Sequence, residues 1–390
     1  MNVVATERIR PANIAACAQA ITESASASRS LRIRGGGTKD YLGDVRPTDA
    51  VLDTTGLAGI VAHVPGDLTV TVAAGTRFAE LRSALARAGQ FLPLDPPRAD
   101  AATLGGIVAA NSTGFWRARY GGVRDLLIGT TSVLGDGTVA RSGGRVVKNV
   151  AGYDLNKLFV GSLGTLGVLV ECTFKVLPRP PVSAGARAQF ARSGDAFAAA
   201  DVILRTSARP AALAVSGGPS GAWELLLQAD GDAAPVARTF ELLSRSAGEL
   251  GTRAQQDDGL PALLTTLNDI SSHAEGTVVR AALPLAAQPA FATTAVRLEG
   301  FTQLVADAAS GIVRVVLGGD DGAMLDGAVA LLAAARVCGG SARVERRPEP
   351  LRARLSAWAD ADPGGRFIMR RLKAAFDPRG ILEPGRSAAG

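Results

Sequence analysis

The stretch Arg34-Gly35-Gly36-Gly37-Thr38-Lys39-Asp40-Tyr41-Leu42-Gly43 follows a short run, Leu31 to Arg34, that predicts a strand. Three consecutive glycines allow positive φ and leave no Cβ between the backbone and a large ligand. Consecutive N–H groups in such a turn can converge on an anion. The stretch has neither the Gly-Lys-Ser/Thr of a P-loop nor the G-x-G-x-x-G of a dinucleotide-binding helix. Taken alone, it predicts either a pyrophosphate cradle or an ordinary surface turn.

A second segment rich in small residues lies further along the chain, at 102–114, with the sequence Ala-Thr-Leu-Gly-Gly-Ile-Val-Ala-Ala-Asn-Ser-Thr-Gly. Thr103 is a favourable N-cap for a short helix there. Glycine and alanine on such a helix let a flat ring or a phosphate approach closely. This second segment therefore favours the cradle over the plain turn.

The composition indicates a soluble globular protein. Of 390 residues, 47% are hydrophobic and 20% are charged, and the length predicts about two or three domains. The net charge of +6 is spread along the chain without a basic run, which argues against a nucleic-acid partner. No apolar run approaches the roughly 20 residues of a membrane span, and residues 1–11 have no apolar signal region. We therefore expect a cytoplasmic protein.

Cysteine and histidine are too scarce and too scattered for a metal centre. The cysteines Cys17, Cys172 and Cys338 form no C-x-x-C and no iron–sulfur pattern. The only histidines are His63 and His273, which limits any mechanism built on imidazole. We expect reduced thiols, no metal and ordinary packing or surface roles for both histidines.

The first half of the chain is predicted to form two layers. Residues 1–90 give a small α/β layer, with a helix over 11–28 and a second helix capped by Thr76. Residues 91–180 contain a hairpin and end in a strand from Leu166 to Leu177. Alternation places one set of side chains of that strand on a shared face. These are Leu166, Val168, Val170, Cys172, Phe174 and Val176.

Beyond residue 181 the pattern changes to Ala-rich amphipathic helices between strands. Over 182–344 the order strand, helix, strand, strand, helix, strand occurs twice, which predicts one antiparallel sheet backed by helices. The remaining segment, 345–390, is too short for a domain and is predicted to pack back on the first one.

Several motifs in order resemble the FAD-binding domains of the vanillyl-alcohol oxidase (PCMH-type) family. The resemblance is specific over about 30–180, weaker over 364–386 and only architectural over 182–344. Within the family, the motifs are most similar to those of FAD-binding subunits of bacterial glycolate oxidase. The motifs are the glycine stretch, Thr103-Leu104-Gly105-Gly106, Tyr120-Gly121, Lys148-Asn149-Val150-Ala151-Gly152-Tyr153-Asp154, Gly161-Ser162-Leu163-Gly164-Thr165-Leu166-Gly167 and Phe376-Asp377-Pro378 with Pro384-Gly385-Arg386.

The resemblance implies an α+β fold with a two-subdomain FAD-binding domain over 1–180, divided near residue 90. It further implies an α/β cap domain over 182–344, built on an antiparallel sheet, and a C-terminal segment over 345–390 that returns to the FAD domain.

The resemblance also implies which positions contact FAD. The pyrophosphate would lie on the backbone of Gly35, Gly36, Gly37 and Thr38, flanked by Arg34, Lys39 and Asp40. The diphosphate and ribityl chain would be lined by Thr103, Gly105, Gly106, Asn111 and Gly114. The chain and ring would lie beside Gly164, Gly167 and Val168.

Departures from the family pattern change the expected chemistry. Neither histidine lies in a glycine motif, so FAD is expected to be noncovalent. The chain has no H-x-x-x-D-G-N and no histidine after His273, so the metal site of related D-lactate dehydrogenases is not expected. The usual Gly-Ser-Glu-Gly is Gly161-Ser162-Leu163-Gly164, which removes a carboxylate.

No catalytic base is evident, and three residues are weak candidates for contact with the flavin ring or the substrate. Lys148 and Tyr153 would stand near the ring, although Tyr153 could equally pack its own ring in the core. Arg386 could pair with the flavin or with a substrate carboxylate, or it could be a solvated surface arginine.

The implied function is that of an FAD-binding subunit in a glycolate oxidase-type complex. Such a complex oxidises a small 2-hydroxy acid, glycolate or D-lactate, and passes electrons to an iron–sulfur partner. The expected partners are a homologous flavin subunit and an iron–sulfur subunit, through which the chain could associate with the inner face of a membrane. Two alternatives stay open: a non-catalytic FAD-bearing scaffold or relay subunit, and a stand-alone FAD-dependent dehydrogenase of another hydroxylated substrate.

Overall fold

The structure, a computed structural model, describes residues 7–144, 154–219 and 221–389. It divides into two compact units. The first unit comprises Met1–Thr113, Gly121–Arg179 and Ala361–Gly390, and the second comprises Gly114–Tyr120 and Pro180–Asp360. This division differs from the predicted ranges, because residues 114–120 and 345–360 belong to the second unit.

In the described part of the chain, short 3-10 turns aside, the elements up to Pro178 are β1 (Glu7–Ile9), α1 (Ile14–Ser26), β2 (Leu31–Arg34), β3 (Ala50–Asp53), β4 (Ile60–Val64), β5 (Thr69–Ala73), α2 (Phe78–Arg87), β6 (Gln90–Phe91), α3 (Leu104–Ala110), α4 (Arg117–Tyr120), α5 (Val123–Leu126), β7 (Leu127–Val133), β8 (Val139–Gly143), β9 (Val168–Lys175) and β10 (Leu177–Pro178). The later elements are β11 (Val182–Phe190), α6 (Ser193–Leu204), β12 (Ala212–Gly217), β13 (Trp223–Gly231), α7 (Ala233–Glu249), β14 (Ala254–Gln256), α8 (Leu260–Asn268), α9 (Ile270–His273), β15 (Thr277–Ala282), α10 (Gln288–Val296), β16 (Phe301–Asp307), β17 (Ile312–Leu317), α11 (Asp321–Val337), β18 (Ser341–Arg346) and α12 (Pro363–Phe376).

The first unit contains a parallel sheet in the order β1-β3-β2. Helix α1 covers it, and Cys17 and Ile21 of the helix pack on Leu31 and Leu52 of the strands. Asn13 caps this helix by accepting a hydrogen bond from the N–H of Ala16 at 2.9 Å. The predicted helix over 11–28 is therefore present, shortened by a few residues at each end.

The same unit contains an antiparallel sheet in the order β4-β5-β9-β7-β8. The predicted shared face of its long central strand is wrong. Val168 and Val170 pack toward α1, whereas Cys172 and Phe174 pack into a separate core with α2 and α3. The register between β7 and β9 shifts at Thr131. Such an irregularity in the ladder changes which side chains face which layer.

Thr76 does not cap α2, contrary to expectation. Its hydroxyl lies 2.7 Å from the carbonyl of Ala73 and accepts a hydrogen bond from the N–H of Gly59 at 2.9 Å. Instead, the first N–H of the helix, that of Phe78, donates to the carbonyl of Ala102 at 2.8 Å. Backbone groups at the start of a helix need such a partner. This bond joins the start of α2 to the segment that leads into α3.

The C-terminal segment extends the parallel sheet. The N–H of Leu31 donates to the carbonyl of Ile381 at 2.7 Å, and the N–H of Glu383 donates to the carbonyl of Leu31 at 2.8 Å. Residues 381–383 thus run alongside β2, immediately before the glycine stretch.

The second unit is built on an eight-stranded sheet in the order β14-β11-β13-β12-β16-β17-β15-β18, antiparallel throughout. Each half has the order strand, helix, strand, strand, helix, strand, as predicted, and the halves join where β12 pairs with β16. Helices α6, α7, α10 and α11 pack on one face. Helices α8 and α9 pack on the other. The predicted antiparallel cap sheet is confirmed.

Residues 114–120 join this second unit through polar side chains. Trp116 Nε1 donates to Gln228 at 3.2 Å, and Tyr120 Oη donates to Asp230 at 2.7 Å. Burial, together with the bond to Asp230, raises the pKa of Tyr120 above its usual range, so this hydroxyl stays protonated.

Candidate functional site

The first unit contains a cleft, here called the glycine cleft, with about 650 Å³ of empty space including its open mouth. It is formed where the glycine stretch after β2, the start of α3 and the turn before β9 meet. Its lining residues are Ile33, Arg34, Gly35, Gly36, Gly37, Thr38, Lys39, Asp40, Thr54, Thr103, Gly105, Gly106, Ala109, Ala110, Leu163, Gly164, Gly167, Leu169 and Arg386.

The glycine stretch and the start of α3 are in direct contact. A Cβ at Gly35 would lie 2.2 Å from Thr103 Oγ1, and a Cβ at Gly36 would lie 1.9 Å from the carbonyl oxygen of Ala101. Any larger residue at these two positions would push the segments apart. The glycines are therefore required for the close approach of the two walls.

The glycine stretch presents unused backbone donors. Among the hydrogen bonds of residues 7–144, 154–219 and 221–389, none uses the N–H of Gly36, Gly37 or Thr38. A backbone N–H is a strong donor, and one without a protein partner can bind water or a ligand. A row of such donors suits an anion with several oxygens, such as a diphosphate.

Charged side chains flanking the glycine stretch are held by protein partners. Arg34 Nε donates to Asp40 at 3.0 Å, and Arg32 lies 3.1 Å from the same carboxylate. Lys39 is buried, and its Nζ donates to the carbonyl of Pro97 at 2.7 Å. The cations near the cleft thus provide a positive field while their side chains shape the loop.

The C-terminal segment contacts the glycine stretch and the end of β2 through a buried ion pair, here called the Glu383–Arg386 clamp. Arg386 Nη1 donates to Glu383 at 2.7 Å, and Nη2 donates to the carbonyl of Lys39 at 3.0 Å. Glu383 also accepts from the N–H of Ile33 at 2.8 Å. Burial raises the pKa of Glu383, which Arg386 opposes.

A second buried pair anchors the same segment. Lys373 Nζ donates to Asp377 at 2.5 Å and to the carbonyls of Thr165 and Leu382 at 2.9 Å and 2.6 Å. Because Thr165 belongs to the turn before β9, this pair ties the C-terminal segment to a wall of the cleft.

The structure brings most of the sequence-predicted FAD residues into one cleft. Arg34 to Asp40, Thr103, Gly105, Gly106, Gly164 and Gly167 all line it. In particular, Gly36 and Gly106 share it.

Three other expected residues do not line the cleft. Asn111 ends α3 with φ of 48° and does not line the cleft, and Gly114 belongs to the second unit. Val168 is fully buried in the core beneath α1 because the side chains of β9 alternate, which turns its neighbour Leu169 to the cleft.

Two of the three candidates for contact with the ring or substrate, Lys148 and Tyr153, lie outside the described residues. Arg386 lines the cleft, but it is buried and engaged by Glu383, Lys39 and Leu42. The alternative of a solvated surface arginine is therefore wrong. The guanidinium donates hydrogen bonds to the carbonyls of Lys39 and Leu42 in the glycine stretch.

Sequence reasoning missed the apolar part of the lining. Ala109 and Ala110 lie about one helical turn beyond Gly105 and Gly106 on α3, so helical spacing could have found them. Leu163 has φ of 54°, in the left-handed region, and no sequence signal marks it. The remaining missed residues are Ile33, Thr54 and Leu169.

The lining fits a flavin dinucleotide. Unused N–H donors suit the diphosphate, and apolar side chains from α3, β2 and β9 suit the less polar parts of the molecule. The described residues contain no group of three or more His, Cys, Asp or Glu side chains that could hold a metal ion. In the same residues, no helix has both the length and the apolarity that crossing a bilayer requires.

Comparison with known families and proteins agrees with this geometry. Residues 6–143 match the family model described as "FAD binding domain". Glycolate oxidase subunit GlcE of Escherichia coli (strain K12) is 44% identical over 169 residues, which cover 43% of this chain and 48% of that protein. Glycolate oxidase subunit GlcD of Bacillus subtilis (strain 168) is 40% identical over 149 residues, covering 38% and 32%.

A third relative is the mitochondrial D-lactate dehydrogenase [cytochrome] of Arabidopsis thaliana, 39% identical over 140 residues that cover 36% of this chain and 24% of that protein. The matched regions span about half or less of the length of these curated relatives.

Solved structures extend the similarity to both units. A crystal structure of p-cresol methylhydroxylase with substrate bound matches with a TM-score of 0.77 at 16% identity, covering 98% of this chain and 88% of that one. An alkyldihydroxyacetonephosphate synthase matches with a TM-score of 0.73 at 16% identity, covering 97% and 76%. At this identity the likeness shows the fold, and the expected α+β PCMH-type fold is confirmed.

Proposed function

We propose that this chain, which carries an FAD-binding domain of the vanillyl-alcohol oxidase (PCMH) type, is an FAD-dependent oxidoreductase subunit that oxidises a small 2-hydroxy acid. Glycolate and D-lactate are the substrates that the names of its relatives suggest. The observation that carries the proposal is the shared cleft of Gly36 and Gly106, because a dinucleotide needs both walls.

FAD is held noncovalently in this proposal. The N–H groups of Gly36, Gly37 and Thr38 receive the diphosphate, and Lys39 and Arg34 add positive charge around it. Gly106 borders the open cleft, since only Thr103 Oγ1, at 3.1 Å, would lie within 4 Å of a Cβ there. When bound, FAD supplies the acceptor for the hydride that leaves the carbon bearing the hydroxyl group.

The hydroxyl proton of the substrate needs an acceptor. Among the described lining residues, Asp40 is the one carboxylate, and it is paired with Arg32 and Arg34. The sequence-based candidates Lys148 and Tyr153 remain proposals for groups near the ring.

The electrons would leave through an iron–sulfur partner on another polypeptide. Cys17 and Cys172 are fully buried, and burial raises the pKa of each thiol to about 12, which suits packing and not metal ligation. We propose a homologous flavin subunit and an iron–sulfur subunit as partners. A cytoplasmic location, or attachment to the inner membrane face through those subunits, follows from this assembly.

A second function is a non-catalytic FAD-bearing scaffold or relay. The observation that favours it is the pairing of Asp40, which leaves the described cleft lining without an available base.

Anaerobic reduction of the bound flavin separates the two functions. The purified chain is mixed with glycolate or D-lactate without oxygen, first alone and then with its partner subunits. Bleaching of the flavin absorbance with the chain alone supports an enzyme that acts by itself. A chain that stays oxidised until partners are added supports the relay, and a chain that takes up no FAD overturns both.

A further inference from the structure

Three arginines form a row across the second unit, here called the arginine row: Arg314 on β17, Arg280 on β15 and Arg343 on β18. Arg280 is the direct cross-strand partner of both Arg314 and Arg343. Like charges placed opposite each other destabilise a sheet. This part of the sheet therefore carries positive charge that folding alone does not favour.

The row lies on the face of the sheet that carries α8 and α9. Val278, two residues before Arg280, packs with Val316, Leu264 and Ile270 in the core beneath these helices. Val279, on the opposite face, packs beneath α10 and α11. Because side chains alternate along a strand, Arg280 shares the face of Val278.

The carboxylate of Glu345 lies within 4.0 Å of all three arginines of the row. The register between β15 and β18 shifts at Val278, which leaves Glu345 without a strand partner. Its Oε2 accepts from Arg314 Nε at 2.9 Å and from Ser271 Oγ at 2.7 Å. Its Oε1 accepts from Arg343 Nη2 at 3.1 Å. Burial raises the pKa of Glu345, but the neighbouring arginines outweigh this and hold it below its usual range.

Arg280 is the arginine of the row that makes no hydrogen bond to this carboxylate in the described part of the chain. Its Nε lies 3.8 Å from Glu345 Oε1, beyond hydrogen-bond distance. Within residues 7–144, 154–219 and 221–389, its guanidinium makes no other recorded hydrogen bond or ion pair. The side chain is 20% exposed, so a small ligand can reach it.

The surroundings of Arg280 oppose its charge. Burial lowers its pKa to about 9, with repulsion from Arg343, Arg314 and Arg117 added. Arg117 stands on α4, in the segment that joins the second unit. A half-buried guanidinium among other cations is costly unless an anion completes the site.

We propose that Arg280, with its cross-strand partner Arg343, binds the carboxylate of a small organic acid. The guanidinium fork matches a carboxylate in two parallel hydrogen bonds. The identity of the acid as a 2-hydroxy acid rests on the proposed function, whereas the site itself rests on the arginine row.

Direct binding tests the site without turnover. All three tryptophans, Trp116, Trp223 and Trp358, belong to the second unit, and the Trp358 ring lies 5.8 Å from the Arg343 guanidinium carbon. Titration of the FAD-loaded chain with glycolate is followed by tryptophan fluorescence and by calorimetry. Ethylene glycol, which lacks the carboxylate, and inorganic phosphate serve as comparison ligands.

The variants are Arg280→Gln, Arg280→Lys and the control Arg297→Gln. Arg297 is an exposed arginine at the end of α10, on the opposite face of the sheet from the arginine row. Loss of a charge-assisted hydrogen bond predicts glycolate binding about tenfold or more weaker in Arg280→Gln. Arg280→Lys should be intermediate and Arg297→Gln unchanged, with the same FAD content in all. Ethylene glycol should not bind.

Three results would overturn the site: equal glycolate affinity in Arg280→Gln and wild type, an equal loss in Arg297→Gln, or no carboxylate binding at all. Phosphate binding as tight as glycolate and equally dependent on Arg280 would replace a carboxylate site with a general anion site. Arg280-dependent binding without flavin reduction, even with partners, would contradict the proposed function alone. Flavin reduction with an unchanged KM in Arg280→Gln would contradict the site alone.

Discussion

In the C-terminal segment of the first unit, two buried acids each have a cation of their own, whereas in the second unit three cations share one acid. Glu383 pairs with Arg386 and Asp377 pairs with Lys373, and both carboxylates are buried. Arg280, Arg314 and Arg343 all lie within 4.0 Å of Glu345. The ion pairs that support the cleft are therefore balanced one to one, and the arginine row has positive charge in excess.

This difference suits two kinds of ligand. A large cofactor that stays bound is held by many backbone N–H groups and by shape, which need no side-chain rearrangement. A small acid that must enter and leave offers few contacts, so it depends on a strong charged one. Removing a charge should accordingly have opposite effects on stability in the two regions.

The largest effect is expected from Arg386→Met. It would leave Glu383 buried without its cation and should lower the free energy of unfolding by about 3–5 kcal/mol. Because Arg386 also holds the carbonyl of Lys39, FAD should be released at lower urea. Urea unfolding is followed by far-UV circular dichroism and by the fluorescence of released FAD.

The control for this variant is Arg82→Met, which removes the exposed partner of Asp100 in the same unit. An exposed pair contributes at most about 1 kcal/mol. An Arg386→Met chain as stable as Arg82→Met would show that the clamp does not support the cleft.

The next effect concerns pH and the second unit. Burial raises the pKa of Asp307 from 3.8 to about 6, partly offset by bonds from Ser310 and Ala309. The folded chain then binds the proton of Asp307 more tightly than the unfolded chain does. The contribution of this protonation to the free energy of unfolding is therefore complete below about pH 4 and is lost as the pH rises through 6. The loss should amount to at most about 3 kcal/mol.

Asp307→Asn should remove this slope, measured by tryptophan fluorescence in urea between pH 4 and 7. Asp258→Asn, an exposed carboxyl in the same unit, should keep it. Parallel slopes in wild type and Asp307→Asn would mean that this carboxyl is not the titrating group.

The third effect concerns the glycine cleft itself. Gly106→Asp places a carboxylate next to the diphosphate and should weaken FAD binding about a hundredfold, since two charges about 4 Å apart near a protein surface interact by a few kcal/mol. Gly106→Ala should bind nearly as wild type, because only Thr103 Oγ1, at 3.1 Å, crowds the added methyl group. Gly66→Asp, in an exposed turn with open space around it, is the matched control.

Equal FAD affinities in Gly106→Asp and Gly66→Asp would place the diphosphate elsewhere. Equilibrium titration of the apo chain with FAD, followed by quenching of flavin fluorescence, gives these affinities.

The smallest effect completes the comparison. Arg280→Gln removes like-charge repulsion from the sheet, so the free energy of unfolding without ligand should stay constant or rise by up to about 1 kcal/mol. Tryptophan fluorescence in urea measures this directly. A clear loss of stability would show that Arg280 supports the fold and is not held for a ligand.

The sequence predicted the features that local patterns encode. Alternating strands and Ala-rich helices gave the twice-repeated cap order, and the glycine motifs gave both walls of the cleft. The alternation of β9 predicted one shared face wrongly, because the register with β7 shifts after Thr131 and the side chains of β9 then face a different core. The prediction that Thr76 caps α2 was wrong because the hydroxyl of Thr76 is bonded to Gly59, which is distant in the sequence.

The arginine row had no sequence signal. Arg280, Arg314 and Arg343 are far apart in the chain and meet only because β15 lies between β17 and β18. The clamp was missed for the same reason, since Glu383 reaches Ile33 across most of the chain. Strand order and register decide both, and neither can be read from spacing.

The central claim is that the glycine stretch and the start of α3 close around one FAD. It is tested most directly by the flavin content of the purified chain after incubation with FAD and gel filtration. The account predicts one FAD per chain, released into the supernatant when the protein is denatured. A colourless chain that retains no FAD would contradict it.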